Sequence, residues 1–272
     1  MVRRLLFILL LTGISSLLFG VGMFAGGSKN TAAAGDPGEI PILMYHKINP
    51  DPCAGGLGLR VPPAKFAEQM EYLARHGYQT VSLAEAAAWI KGEGKLPARP
   101  VVLTFDDGYL DNYQYAFPVL KKYGFTATVF VVAGCAGGTN AFDVRAGRQP
   151  ENRLAGWPEL AEMARSGITI GAHTLDHPRL TEVPPEEALR QIKRSREVIE
   201  KKLNRPVLFF SYPYGSYNGE VLRLVKESGY LAAVTTTRGL ATRRSNPYAL
   251  KRIRIMGNYD LKKFISELTG SK

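Results

Sequence analysis

The sequence predicts an α/β fold made of parallel βαβ units, on three observations. From Ile40 onward, short apolar and β-branched runs alternate repeatedly with amphipathic stretches, the pattern of strand–helix–strand crossovers. The strand runs are continuously apolar rather than alternating, as expected of strands covered on both faces. The unusual polar residues gather just after those runs, where an α/β barrel or a doubly wound sheet places its ligands. Both architectures are open at this level.

In chain order, the strand runs are residues 40–45, 79–81, 100–105, 126–132, 168–172, 207–211, 231–235 and 252–255. Helices fill the intervals. Residues 63–76 repeat Phe66, Met70 and Leu73 on one face and stop at Gly77, a C-cap signal. Ser82 and Glu85 form a capping box that opens a helix over 83–91. The stretches 112–123, 157–166 and 217–228 each end at a glycine: Gly124, Gly167 and Gly229. Pro184 and Pro185 mark the start of a long charged helix over 185–203. A last helix covers 261–268.

The composition excludes other classes. The chain has 272 residues, 45% hydrophobic and 22% charged, with 28 Gly and 17 Pro. That rules out a mostly disordered, collagen-like or polytopic membrane protein. Lys and Arg number 35 against 24 Asp and Glu, a formal charge of +11. Such an excess points to an anionic neighbour: nucleic acid, lipid headgroups or an acidic polymer. Cys53 and Cys135 are too few for a disulfide scaffold, and sequence alone does not bring them within bonding distance.

Arg3 and Arg4 precede an apolar run from Leu5 to Ala25. A basic region followed by an apolar one is an export signal, and this run is also long enough to span a bilayer core of about 30 Å. Residues 1–25 are read as a signal peptide or an uncleaved membrane anchor, 26–38 as a linker and 39–272 as one folded domain. Cleavage would fall near Ala34, and the positive-inside rule puts the domain outside the cytoplasm in either case. An extracytoplasmic domain without a binding motif is not expected to meet nucleic acid. The expected state is a monomer that touches the membrane through its N-terminal segment.

Four strand ends carry polar or rigid groups: Tyr45-His46, Asp106-Asp107-Gly108, His173, and Tyr212-Pro213-Tyr214-Gly215. Adjacent carboxylates at the end of an apolar strand are costly unless compensated. They point to opposite sides of the chain, so Asp106 and Asp107 address different partners. An Asp-Asp-Gly turn closing a strand is the plainer alternative. His173 and His177 stand four apart in HTLDHP, a spacing from which two neutral imidazoles reach one ion. With Asp107 they form a triad that leaves coordination positions open. A divalent ion there polarises a carbonyl and lowers the pKa of water toward about 7. Asp106 is then placed to take the proton of that water. Together these residues describe metal-assisted hydrolysis.

The motifs TFDDGY (104–109), HTLDHP (173–178) and SYPYGSYN (211–218) occur in this order, with ILMYHKI (42–48), the stretch 116–131 and Trp157 around them. The set resembles the polysaccharide deacetylases, the NodB-homology domains of carbohydrate esterase family 4. The resemblance implies a distorted (β/α) barrel with fewer than eight full units. It implies removal of N-acetyl groups from an N-acetylglucosamine-containing polysaccharide, with release of acetate. Asp106 matches the general base, and Asp107, His173 and His177 match the ligands of a divalent metal: Zn2+ first, Co2+ or Ni2+ as alternatives. Tyr212, Pro213 and Tyr214 match substrate-binding positions, and the backbone N–H of Tyr214 matches an oxyanion donor.

The sequence departs from the family pattern in three places, one being that no Asp-x-x-Asp-Trp motif follows the SYPYGSYN stretch. Ser211 stands where an arginine usually orients the base, and Arg252 or Arg254 on the last strand is the candidate replacement. No late Leu-x-His motif supplies a general acid. His46 in MYHKI is the substitute, as in the exported exopolysaccharide deacetylases that this region resembles. The expected activity is deacetylation of an exopolysaccharide or peptidoglycan. An O-acetyl esterase acting on a polymer such as xylan, or a non-catalytic carbohydrate-binding relic, are the other readings. Phe209, Phe210, Tyr212, Tyr214 and Tyr217 offer rings either to sugars or to the core.

Overall fold

Seven parallel strands close into a barrel in the computed structural model, which describes residues 37–270. They are β1 (Ile42–Tyr45), β2 (Pro100–Phe105), β3 (Thr128–Val131), β4 (Thr169–Ala172), β5 (Phe209–Ser211), β6 (Ala232–Arg238) and β7 (Leu250–Arg254). Around the ring the order is β1-β7-β6-β5-β4-β3-β2. Pairing of β1 with β2, Leu43 opposite Leu103, closes it. The distortion is local. Gln79–Thr80 hangs on the outside of β2, the β6–β7 register slips between Val234 and Arg238, and β4 meets β5 through the single pair Ala172–Phe210.

The two-residue alternation of strands sorts the apolar residues into two clusters. Ile42, Val102, Phe130, Phe209, Val234 and Leu250 form one, inside the barrel. Leu43, Leu103, Val129, Phe210, Ala233 and Ile253 belong to the other, which the surrounding helices cover. Each strand therefore needs apolar residues at every position, as its continuous run predicts. Gly171 on β4 is required by this packing, because a Cβ there would lie 2.6 Å from the Phe130 ring.

The helices are α1 (Pro63–Arg75), α2 (Leu83–Ile90), α3 (Phe117–Tyr123), α4 (Trp157–Arg165), α5 (Pro185–Leu203), α6 (Gly219–Glu227) and α7 (Leu261–Thr269). The α1 face built from Phe66, Met70 and Leu73 is buried, and Phe66 packs edge-on against Tyr45 of β1 at 5.3 Å. Both halves of the Ser82–Glu85 capping box form.

Some boundaries differ from the sequence expectation. The run 40–45 breaks at Pro41, which has no N–H to give; Glu39–Ile40 pairs instead with Ala241–Thr242. Residues 112–116 form a π-helical turn ahead of α3. α6 starts at Gly219 because the Asn218 side chain accepts from the Val221 N–H and caps it there. A small ladder, Lys47–Ile48 with Arg60–Val61, was not legible in so short a run.

Cys53 and Cys135 are both free thiols. Among the described residues no helix is long and apolar enough to cross a membrane. The apolar run 1–25 and the cleavage position near Ala34 lie outside the described residues, as does most of the linker 26–38.

Candidate active site

The cleft at the C-terminal mouth of the barrel is lined by Asp106, Asp107, His173 and His177, with His46, Tyr214 and Arg254 beside them. Strand alternation explains how they meet. Asp106 continues the inward row Val102, Thr104; Arg252 and Arg254 continue the row of Leu250; His173 follows Gly171. The turns that follow hold unusual backbone. Asp107, Thr174, His177 and Tyr214 all adopt positive φ without being glycine, a costly conformation that clusters at functional sites. After Tyr214 the chain turns through Gly215 at φ 68°, where any side chain would collide with Thr236.

Asp106 and Arg252 form a wholly buried, bidentate pair. The Arg252 Nη1 donates to Asp106 Oδ1 at 2.8 Å and Nη2 to Oδ2 at 2.6 Å. The same guanidinium donates to the hydroxyls of Thr104 and Ser211 and to the Thr235 carbonyl. Burial works against the Asp106 charge, but Arg252 overrides it and holds the carboxyl at about 2. Arg252 thus holds Asp106 from β7 while also donating to the Ser211 hydroxyl.

Three donor atoms converge next to this pair. His173 Nε2 and His177 Nε2 are 3.1 Å apart, and each is 3.4 Å from Asp107 Oδ1. The protons can be assigned from the partners on the far side of each ring. His173 Nδ1 faces the Ser211 carbonyl at 2.7 Å, so it must carry the hydrogen. His177 Nδ1 faces the Tyr214 hydroxyl at 3.0 Å. That hydroxyl donates to Asp143 Oδ1 at 3.3 Å, and burial pushes it up to about 12, so it keeps its proton. His177 Nδ1 is therefore also the donor. Both Nε2 lone pairs and a carboxylate oxygen face one another with no hydrogen between them.

Such an arrangement could hold a cation. Tetrahedral bonds of about 2.0–2.1 Å put neighbouring donors about 3.3 Å apart, and the three measured edges bracket that value. Asp107, His173 and His177 are the group of buried side chains that could hold a metal among the described residues. Burial, with the neighbouring His173 ring, draws the His177 imidazole down, which keeps its Nε2 lone pair free.

The cleft matches a known chemistry. The polysaccharide deacetylase family profile covers residues 93–233. The Bacillus subtilis protein YxkH, assigned to the polysaccharide deacetylases, is 36% identical over 219 residues, spanning 80% of this chain and 72% of that one. The chain belongs to the polysaccharide deacetylase family. A poly-β-1,6-N-acetyl-D-glucosamine N-deacetylase of Staphylococcus aureus is 27% identical over 72% of this chain and 67% of its own length. Among solved structures, the Streptococcus pyogenes deacetylase PplD in complex with acetate superposes with a TM-score of 0.73 at 30% identity, covering 85% of this chain and 98% of that one. The fold is the distorted barrel of these deacetylases, and the protein is a hydrolase of their class.

The barrel of this polysaccharide deacetylase brings together Asp106, Asp107, His173, His177, His46 and Tyr214. Tyr212 and Pro213, expected at the substrate, do not line the cleft. Tyr212 is fully buried, its hydroxyl donating to the Tyr248 carbonyl and its ring stacked on Tyr217. Pro213 is buried beneath the turn. Phe209 and Phe210 are core residues. Asp143, Arg148 and Gln149 line the cleft without having been singled out, since they come from the irregular segment between β3 and α4.

Proposed function

We propose that this deacetylase is a metal-dependent N-deacetylase of an N-acetylglucosamine-containing surface polysaccharide, either exopolysaccharide or peptidoglycan. The observation that carries the reading is the convergence of three lone pairs beside a buried carboxylate that Arg252 keeps ionised. The donor set of two imidazoles and one carboxylate suits zinc first, with cobalt or nickel as substitutes. When bound, the cation supplies a Lewis acid for the acetyl carbonyl and lowers the pKa of an adjacent water.

The protein residues do the rest. Asp106 takes a proton from the attacking water, and the backbone N–H of Tyr214 donates to the oxyanion that develops on the acetyl group. The C–N bond breaks, acetate leaves, and the sugar nitrogen takes up a proton. His46 is the candidate acid for that last step. Burial draws its imidazole down to about 4, against the pull of Asp107 and Asp106. It is therefore neutral at pH 7 and must gain the proton before it can give it.

The named activity of the Staphylococcus aureus relative supports an N-acetylglucosamine polymer. The N-terminal pattern supports an extracytoplasmic site of action, with the chain either anchored through residues 1–25 or released by cleavage near Ala34. Protease accessibility on intact cells tests that placement.

The activity test is acetate release from N-acetylglucosamine oligomers and peptidoglycan. EDTA should abolish it, and added zinc, cobalt or nickel should restore it. Asp106→Asn should stop release while metal stays bound, and Asp107→Ala should lose both. Full activity in either variant refutes the roles assigned. Release from O-acetylated xylan alone would favour the esterase reading, and metal binding without release from any polymer would favour a relic.

A further inference from the structure

The cleft holds more positive charge than the hydrolysis uses. Arg252 is committed to Asp106, but three other arginines reach the mouth. Arg254, two residues further along β7 and so on the same inward row, lines the cleft half-buried. It has no hydrogen bond or ion pair among the described residues. Arg148 and Arg179 both stack on the Tyr214 ring, with guanidinium carbons 4.8 and 4.3 Å from its centre. Arg148 spends one N–H on the Tyr214 hydroxyl. Arg179 has only an exposed contact with Glu182 at 3.8 Å, which holds it weakly.

The ring order separates these two groups. Arg254 follows β7, whereas Arg148 and Arg179 follow β3 and β4. The Tyr214 ring on which both guanidiniums lie follows β5, so β6 separates the two groups around the mouth. The three carboxylates of the cleft, Asp106, Asp107 and Asp143, are balanced by Arg252, Arg148 and Arg254. A divalent cation on the lone-pair cluster then leaves the cleft positive. A half-buried guanidinium with no carboxylate of its own is costly to keep, and its planar donor fork suits a carboxylate or phosphate supplied from outside.

We propose that the cleft selects an acidic glycan: a polymer in which the sugars flanking the reacting N-acetylglucosamine carry a carboxylate or a phosphodiester. Arg254 grips the anion on one side, and the Arg148–Tyr214–Arg179 stack receives the one on the other. The identity of the reacting sugar rests on the deacetylase reading above; the acidic flanks rest on the arginines alone.

The test is calorimetric titration of zinc-loaded Asp106→Asn, Arg252→Met protein, in which neither charge of the buried pair is left exposed to the ligand, with three oligomers of matched length. One is a neutral N-acetylglucosamine oligomer, one alternates N-acetylglucosamine with glucuronic acid, and one joins N-acetylglucosamine through phosphodiesters. At low salt at least one acidic oligomer should bind about tenfold or more tightly than the neutral one, the scale of a hydrogen bond to a charged group. Raising the salt should shrink that gap. Arg254→Gln and Arg148→Gln, added to the same background and checked for an unchanged thermal midpoint, should each weaken acidic binding more than neutral binding. Which acidic oligomer wins separates carboxylate from phosphate. Equal binding of all three, or an acidic preference that survives both substitutions together, overturns the proposal. Acetate release by the wild-type protein is read separately. Equal release from neutral and acidic oligomers would leave the deacetylase standing and remove acidic selection. Acidic binding without release from any oligomer would keep the subsite and remove the activity.

Discussion

Replacing Arg252 by methionine keeps the bulk of the side-chain stem and deletes the guanidinium that clamps Asp106. The size of the effect follows from the pair itself. Asp106 and Arg252 are 2% and 0% exposed, so neither charge can recover its hydration once its partner is gone. Burial raises the Asp106 carboxyl and Arg252 more than offsets it, leaving it at about 2 against an ordinary 3.8, a net effect on the order of 2 kcal/mol at about 1.4 kcal/mol per pKa unit. Removing one partner of a buried ion pair costs about 3–5 kcal/mol, so a loss of about 3 kcal/mol is expected at pH 7. The sign in pH is definite. A carboxyl depressed in the folded state stabilises above its unfolded value, and that stabilisation is lost as pH falls from about 4 to 2. In Arg252→Met burial acts on Asp106 without its main counterweight and pushes its carboxyl up, so the deficit should be largest at neutral pH and shrink on acidification. Urea unfolding at pH 7 and pH 5 of wild type, Arg252→Met, Asp106→Asn and the double variant measures this. The double variant removes both charges and should be more stable than the sum of the single losses allows. Losses that add within about 0.5 kcal/mol, the range of independent sites, or a deficit equal at both pH values, would refute the clamp. The acid limb of kcat/KM should move up in Arg252→Met, because an unclamped base protonates sooner.

Further outcomes follow from the same geometry. Tyr214→Phe keeps the ring but removes the hydroxyl between His177 Nδ1 and Asp143; metal affinity, read by competition with a chromophoric chelator, should fall about 10–100-fold, and an unchanged affinity would deny the hydroxyl a role in orienting His177. EDTA should lower the thermal midpoint of the wild-type protein and leave His173→Ala unmoved, because a metal at a thousand times its Kd adds about 4 kcal/mol to the folded state. Gly171→Ala puts a methyl group 2.6 Å from Phe130 and 3.0 Å from the Phe209 carbonyl, so urea unfolding should report a loss of about 1–3 kcal/mol, partly recovered by Phe130→Leu. Ser82→Ala breaks the α2 capping box and should cost about 1 kcal/mol in the same assay.

Much of this architecture is legible in the sequence because local rules and tertiary structure agree. The run 100–105 and the helix 185–203 end where expected: one is bounded by Pro100 and Asp106, the other by Pro184 and a left-handed Asn204. Periodicity alone does not separate a barrel from a doubly wound sheet, since both are written as buried strands alternating with helices; the motif resemblance is what implies the distorted barrel that the structure has. The decision lies in the β1–β2 pairing, a contact between residues far apart in the chain. At the site, Asp106, Asp107 and His173 were visible because each follows a strand directly, and His177 because it stands four residues after His173. Asp143 was not, because it lies on a single helical turn, Ala141–Val144, too short to show a periodicity, and meets the Tyr214 hydroxyl only through the fold. Tyr212 was misplaced for a related reason. Its position after β5 suggests the mouth, but its ring turns to Phe210 and Tyr217 instead.

The buried Asp106–Arg252 pair shows how the barrel can compensate an inward carboxylate. A buried carboxylate needs a partner within hydrogen-bond reach, from whichever strand can deliver it. Ser211 on β5 and Arg252 on β7 are separated by β6, yet both project into the same interior, where Arg252 Nη2 donates to Asp106 Oδ2 and to the Ser211 hydroxyl. A long side chain can thus reach the base from two strands away if the nearer position is small. The signal for it was present in the spacing. In LKRIR, alternation puts Arg252 and Arg254 on the side of Leu250, an inward apolar residue, and an arginine on the inner wall of a barrel is tolerable only opposite an anion. For Arg252 that anion is Asp106. The same reasoning applied one step further along the strand leaves Arg254 with an inward charge and no anion of its own, which is why its counterpart is sought on the substrate.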